Sequence, residues 1–168
     1  MARYTLIFAT ILAASKLAAA CFLPNEIKQD EIHKQENTNW CQTMGPDRWT
    51  FTMTTSEVAV PTFDPDNMWA GLSTSVFFEV YDNDCMPRGW YAKPGDCGLP
   101  WEIQEDFLPY VIVIKSIFTD VGAPDFTFAY ANGDYMIGEN QCICRNVSQG
   151  LQAKQACSCS FPIDGEPE

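Results

Sequence analysis

From Arg48 the chain alternates. Trp49, Phe51 and Met53 fall on one side of an extended backbone and Thr50, Thr52 and Thr54 on the other, a period of two in β-branched and aromatic residues that predicts a strand. Thr74 to Tyr81 repeats the pattern, with Ser75, Phe77, Glu79 and Tyr81 set against Val76, Phe78 and Val80, and Asp82-Asn83-Asp84 ends it. The segment between them, PTFDPDNMWAG, reads as turn-rich. Trp101-Glu-Ile-Gln starts a third strand, and Tyr110 to Phe118 is apolar enough to lie centrally in a sheet. Asp125 to Tyr130 and Tyr135 to Gly138 form a hairpin across Ala131-Asn132-Gly133-Asp134, Asn-Gly being the strongest short hairpin signal. Gln141 to Arg145 and Ala156 to Ile163 supply the last two strands. About seven or eight short strands with turns at regular spacing predict a mainly β fold, an antiparallel β-sandwich or β-barrel.

Two stretches break the pattern. Asn25 to Asn39 is polar, with Ile27 and Ile32 its only large apolar residues, and reads as an extended or loosely helical arm. Cys85 to Pro100 is dense in proline and glycine, so no regular element is expected there.

The N-terminus has the three-part plan of a secretory signal: Arg3, an apolar run from Tyr4 through Ala14, then small residues ending Ala18-Ala19-Ala20. The run is too short for a bilayer, which takes roughly twenty residues. The expected organisation is therefore a signal peptide at 1–20, a polar arm at 21–40 and one disulfide-stapled β domain at 41–168, with no membrane anchor. Ala18-Ala19-Ala20-Cys21 also has the outline of a bacterial lipid-attachment box, but acylation of Cys21 would leave an odd number of cysteines.

All eight cysteines follow the expected cleavage site, as in a chain oxidised after export. Zinc is the alternative reading, but Cys142-Ile-Cys144 and Cys157-Ser-Cys159 leave one residue between sulfurs, awkward for chelating one ion. No metal or cofactor is expected. Cys85 and Cys97 frame a short loop, and a bridge between them would stabilise by roughly 3 kcal/mol. A Cys21 to Cys41 bridge would tie down the arm. Residues i and i+2 of a strand share a face, so an antiparallel pairing of the last two strands sets Cys142 against Cys159 and Cys144 against Cys157. Crossing one of these to Cys21 or Cys41 remains open among the 105 pairings that eight cysteines allow.

Charge narrows the partners. Of 10 basic residues, Arg3 and Lys16 leave with the signal, so 8 remain against 22 acidic ones, a net charge of −14. Such a surface repels phosphate backbones, so nucleic acid is excluded as a partner. Catalytic candidates are few. His33, the one histidine, sits in the polar arm with nothing to orient it. Glu102, Glu105 and Asp106 cluster, and Asp64 and Asp66 lie in a turn; a glycosidase would need two of these facing across a cleft, and they read as surface acids. The oxygen ligands of Asp64-Pro-Asp66-Asn67 and Asp82-Asn83-Asp84 lack the remainder of a calcium loop, and turn chemistry accounts for both. Asn146-Val147-Ser148 is an N-glycosylation sequon. Trp49 belongs to a core face and Trp40 follows the arm, whereas Trp69, Trp90 and Trp101 lie in turn-rich regions, where exposed aromatics would bind a protein or a glycan.

Cys41, the strand around Trp49, Phe77-Phe78-Glu79-Val80 running into Cys85, Trp90-Tyr91 before Cys97-Gly98, the Tyr110 to Lys115 strand, and Cys144-Arg145 followed by Cys157 together resemble the major Alternaria allergen family of fungal secreted β-barrels. Cys21, Cys142 and Cys159 are extra to that pattern. The resemblance implies a non-enzymatic effector or elicitor at a plant surface, with Cys41 left for an intermolecular bridge and hence a homodimer. The expected function is a secreted, non-catalytic protein that binds a host or apoplastic protein. A small carboxylate-dependent hydrolase and a carbohydrate-binding module are the alternatives.

Overall fold

The computed structural model describes residues 21–26, 40–64, 67–93, 98–118, 123, 125–139, 142–150 and 152–166, with backbone alone for 59–64, 67–72 and 118. The expected signal segment, most of the polar arm with His33, and Asp66 and Cys97 lie outside these residues. The strands are β1 (Cys21–Phe22), β2 (Arg48–Asp64), β3 (Asn67–Tyr81), β4 (Pro87–Ala92), β5 (Trp101–Ile103), β6 (Ile112–Phe118), β7 (Asp125–Tyr130), β8 (Gly133–Met136), β9 (Ile143–Asn146) and β10 (Gln152–Pro162). They form two five-stranded sheets, ordered β1-β5-β6-β7-β8 and β4-β3-β2-β10-β9. All neighbours are antiparallel except β1 on β5. The mainly β sandwich expected from the alternation is the fold observed.

The core lies between the sheets and is largely aromatic. Phe51 and Met53 of β2, Phe78 and Val80 of β3 and Phe161 of β10 face Ile112 and Ile114 of β6 and Phe126 and Phe128 of β7, all fully buried. The Phe51 ring meets Phe126 at 5.4 Å and Phe128 at 4.9 Å, and Tyr130 meets Phe161 at 4.7 Å, in the tilted and edge-on arrangements that aromatic quadrupoles favour. The residues just past the expected cleavage site stitch the two sheets together along one side. Leu23 N–H donates to Glu102 O of β5, and Glu26 N–H donates to Trp90 O of β4. The polar arm thus begins as part of the sandwich.

The Cys85 to Pro100 stretch does hold a strand, β4, contrary to the expectation from its breakers. Edge strands tolerate what central ones do not: Pro87 opens β4, and Gly89 leaves room for the Tyr91 hydroxyl, which would collide with any added Cβ. The turn-rich reading of PTFDPDNMWAG is also corrected. β2 and β3 run on through it as a ribbon, with Ala59 opposite Leu72 and Asp64 opposite Asn67.

The cysteine ladder at the C-terminus is as expected. β9 and β10 pair with Cys144 opposite Cys157, and bridges join Cys142 to Cys159 and Cys144 to Cys157. The N-terminal pairings differ. Cys85 bonds Cys41, not Cys97, and Cys41 therefore bonds neither Cys21 nor a second chain. The cause is the strap Trp40–Met44, which crosses the outer face of the β2 sheet. Gln42 N–H donates to Thr50 Oγ1 at 3.1 Å, the Thr50 hydroxyl returns a bond to Gln42 O at 3.1 Å, and Gln42 Nε2 reaches Ser158 O at 3.0 Å. Thr50 lies opposite Tyr81, so the strap carries Cys41 to the turn that holds Cys85. Cys21 is also disulfide-bonded.

This bridge closes a sequence separation of 44 residues, which the chain-entropy model equates with about 4 kcal/mol. The double variant Cys41→Ala/Cys85→Ala is expected to lose most of that in urea unfolding; a loss below about 1 kcal/mol would mean that the strap is held by its hydrogen bonds alone.

Candidate recognition surface

One end of the sandwich gathers the connections 40–47, 82–86, 104–111 and 131–132 and the tail after β10. The registers require this: Arg48 opposes Pro162, Thr50 opposes Tyr81, and Ile112 opposes both Ile103 and Tyr130. Loops carried on a rigid sheet are where recognition residues concentrate.

Two packing events fix these loops. Trp49 at the start of β2 stacks on Phe107 from the β5–β6 loop, with ring centroids 5.9 Å apart and an interplanar angle of 25°. The Arg88 guanidinium from β4 lies 5.9 Å from the Trp49 centroid and 5.7 Å from that of Phe107, within cation–π range of both rings. Its Nη1 is 3.5 Å from Asp82 Oδ2. The other Asp82 oxygen accepts the backbone N–H groups of Asp84 at 3.0 Å and Met86 at 2.9 Å, closing the turn beside Cys85. Asp82-Asn83-Asp84 therefore spends one carboxylate on its own backbone, as turn chemistry predicts.

The loops of this end also carry Met44, Met86 and Tyr110, 41%, 47% and 47% exposed. The β5–β6 loop also walls a concavity of about 430 Å³ lined by Gln104, Glu105, Asp106, Leu108 and Tyr110. The Tyr91 hydroxyl donates to Glu105 Oε1 at 3.1 Å. Burial first, then the adjacent Glu105 charge, holds that phenol well above its ordinary range, so it remains a donor.

The tryptophans singled out in the sequence do not come together. Trp101 is 2% exposed and packs edge-on against Phe78 in the core, at 5.9 Å, because β5 turns it between the sheets. Trp90 is half-buried on the opposite side of the β2 sheet, its ring 5.5 Å from Phe77. The Trp69 backbone pairs with Pro61 in the β2–β3 ribbon. The carboxylates are divided too. Glu105 and Asp106 share the concavity, Glu102 sits in β5 opposite Val113, and Asp64 is at the far end of β2, about 50 Å of extended chain from Arg48. Asn146 ends β9 at an edge of its sheet, exposed, with its Oδ1 accepting from Ser148 N–H at 3.0 Å.

Sequence reasoning missed Glu79. It is 2% exposed on the outer face of the β2 sheet, opposite Thr52 and Trp90. Burial raises its pKa from 4.5 to about 7, against the opposing pull of the Tyr81 hydroxyl and then the Lys154 charge. Among the described residues Oε2 has no hydrogen-bond partner, and neither does Thr54 Oγ1 on the same face. The one available signal was a glutamate within the apolar run Val76 to Tyr81.

Comparison with protein-family models, with curated proteins and with solved structures finds no match. What the site can do therefore follows from its own geometry. A stack of two aromatics and an arginine, with exposed methionines and a tyrosine on loops of the same end, offers apolar area together with several carboxylates. These are the ingredients of a protein-binding patch.

Proposed function

We propose that this protein is a secreted, non-catalytic recognition protein, effector-like, that binds an extracellular host protein through the loop-bearing end of its sandwich. The exposed Met44, Met86 and Tyr110, on the end of the sandwich that also carries the Trp49–Arg88–Phe107 stack, carry this reading. Three supports stand beside it. The bridges Cys41–Cys85, Cys142–Cys159 and Cys144–Cys157 suit an oxidising compartment. The N-terminus has the plan of a secretory signal, and the resemblance to the Alternaria allergen family points to a fungal protein acting in virulence at a plant surface. In that setting Asn146 carries an N-glycan, at an edge of the molecule remote from the loops named here.

The bound protein is basic where it meets this end, because Asp47, Asp84, Asp106, Asp164 and Glu166 belong to the loops and tail gathered there. The test is capture from apoplastic fluid by the oxidised mature chain, beside the variant Met86→Asp/Tyr110→Asp. The variant is expected to keep its circular dichroism and to bind the captured protein at least about 100-fold more weakly, as losing two central contacts does. Equal binding by the two chains, or recovery of glycans only, overturns the reading.

A further inference from the structure

The β5–β6 loop forms a concavity of its own. Its volume of about 430 Å³ falls among those of ligand pockets, about 300–1,000 Å³. Leu108, Pro109, Tyr110 and Val111 give it an apolar lining, and Glu105 and Asp106 give it two carboxylates. Leu108 is buried, whereas Asp106, Pro109 and Tyr110 are exposed.

The lining is held in place from several sides. Glu105 Oε1 accepts from the hydroxyl of Tyr91, a fully buried residue, at 3.1 Å, and among the described residues no hydrogen bond reaches Oε2. Leu108 N–H donates to Glu105 O at 3.0 Å, so the turn that carries both is closed by its own backbone. The Tyr110 ring stands edge-on to that of Tyr130 at 5.7 Å, and the tail comes so close at Gly165 that an added Cβ would press on the Tyr110 ring. Walls already fixed lose little freedom when a ligand arrives.

The chemistry of these walls selects the ligand. Anions are repelled, and a wholly apolar group would leave the carboxylates desolvated and unpaired. A divalent cation takes about six or more oxygens, and among the described residues no group of three or more metal-ligating side chains occurs. Neither carboxylate is in an ion pair with another described residue; Arg88 is engaged with Asp82 and with the Trp49 and Phe107 rings. A lysine ammonium matches the charge but is a compact, strongly hydrated ion. A guanidinium is planar and more weakly hydrated, stacks on aromatic rings and forks onto carboxylates.

We propose that the concavity of the β5–β6 loop receives an arginine side chain of the bound protein, with its guanidinium on Glu105 and Asp106 beside the Tyr110 ring and its stem on the apolar lining. The proposal rests on the recognition reading above and names the residue that this end takes from its partner. Tyr110 links the two, since it lines the concavity and is also one of the exposed residues of the loop-bearing end.

The probe is the peptide acetyl-Gly-Arg-Gly-amide, titrated into the oxidised, isotope-labelled mature chain while amide chemical shifts are followed. Saturable shifts centred on Glu105 to Val111 are expected. The lysine analogue should bind at least about fivefold more weakly, and the citrulline analogue, of the same shape without the charge, should give no shifts there. Glu105→Gln/Asp106→Asn should keep the circular dichroism and lose the arginine shifts. In capture from apoplastic fluid the same variant should bind the captured protein at least about 30-fold more weakly, as removal of a buried charge partner does. Equal response to the arginine, lysine and citrulline peptides, shifts centred elsewhere, or no shifts each overturn the proposal. If Glu105→Gln/Asp106→Asn retains the captured protein while Met86→Asp/Tyr110→Asp loses it, this proposal alone falls. If the arginine peptide binds at the concavity but no protein is captured, the recognition reading falls instead.

Discussion

Folding stability is expected to fall by about 3 kcal/mol as the pH rises from below 4.5 to above 7, and Glu79→Gln is expected to remove that component. The carboxyl of Glu79 has its pKa raised to about 7 by burial, and a shift of that size converts at about 1.4 kcal/mol per pH unit. Below 4.5 the group is protonated whether the chain is folded or not, and its contribution is fully present. Between 4.5 and 7 the unfolded chain ionises while the folded one keeps its proton, so unfolding gains. Above 7 the folded form ionises as well and the deficit is constant.

The sign is opposite to that of a salt-bridged carboxylate, and the surroundings explain why. Tyr81 and Lys154 act on Glu79 in the direction that favours charge, yet both together are outweighed by desolvation on a face where the side chain is 2% exposed. Urea unfolding of wild type and Glu79→Gln at pH 4 and pH 8, at one ionic strength, isolates the effect as a difference of differences. The variant should match the wild type at pH 4 and exceed it at pH 8. If the two chains track each other across that range, Glu79 is not held protonated by the fold.

How far the sequence predicts this molecule depends on whether a feature is local. The alternation of Trp49, Phe51 and Met53 with threonines identified β2 and its inner face, because a strand between two layers must place its large apolar residues on one side. The same pattern concealed that the threonine face is buried as well: Thr50, Thr52 and Thr54 are all fully enclosed. The strap Trp40–Met44 bonds across part of that face, and nothing within the strand announces it. The two Cys-x-Cys pairs resolved because register is a local property of two strands. Cys41–Cys85 did not, because it depends on where the strap lies.

The site was less legible than the fold, for the same reason. Trp49, Arg88 and Phe107 come from a strand, an edge strand and a loop, and no spacing along the chain joins them. Arg88 was further hidden by the proline and glycine around it, which argued against β4. Long-range contacts of this kind are decided by sheet order, and the sequence contained the strands without their order.

Trp101→Ala should cost about 3 to 5 kcal/mol of folding stability, the range for truncating a large buried aromatic, whereas Trp90→Ala should cost less than about 2 kcal/mol. On sequence grounds both were candidates for an exposed, partner-binding tryptophan. The fold separates them. Trp101 stands in β5 with its backbone paired to Ile114 on one side and Cys21 on the other, and its ring closes the core against Phe78. Truncation would leave a cavity between sheets that their hydrogen-bonded registers prevent from closing. Trp90 shields one side of Phe77 at a sheet edge, and water can take the place of its ring. Urea unfolding of both variants distinguishes the roles, provided the disulfides stay oxidised. A Trp101→Ala chain of near wild-type stability that failed to bind its partner would restore Trp101 to the surface and contradict the packing of β5 against β3.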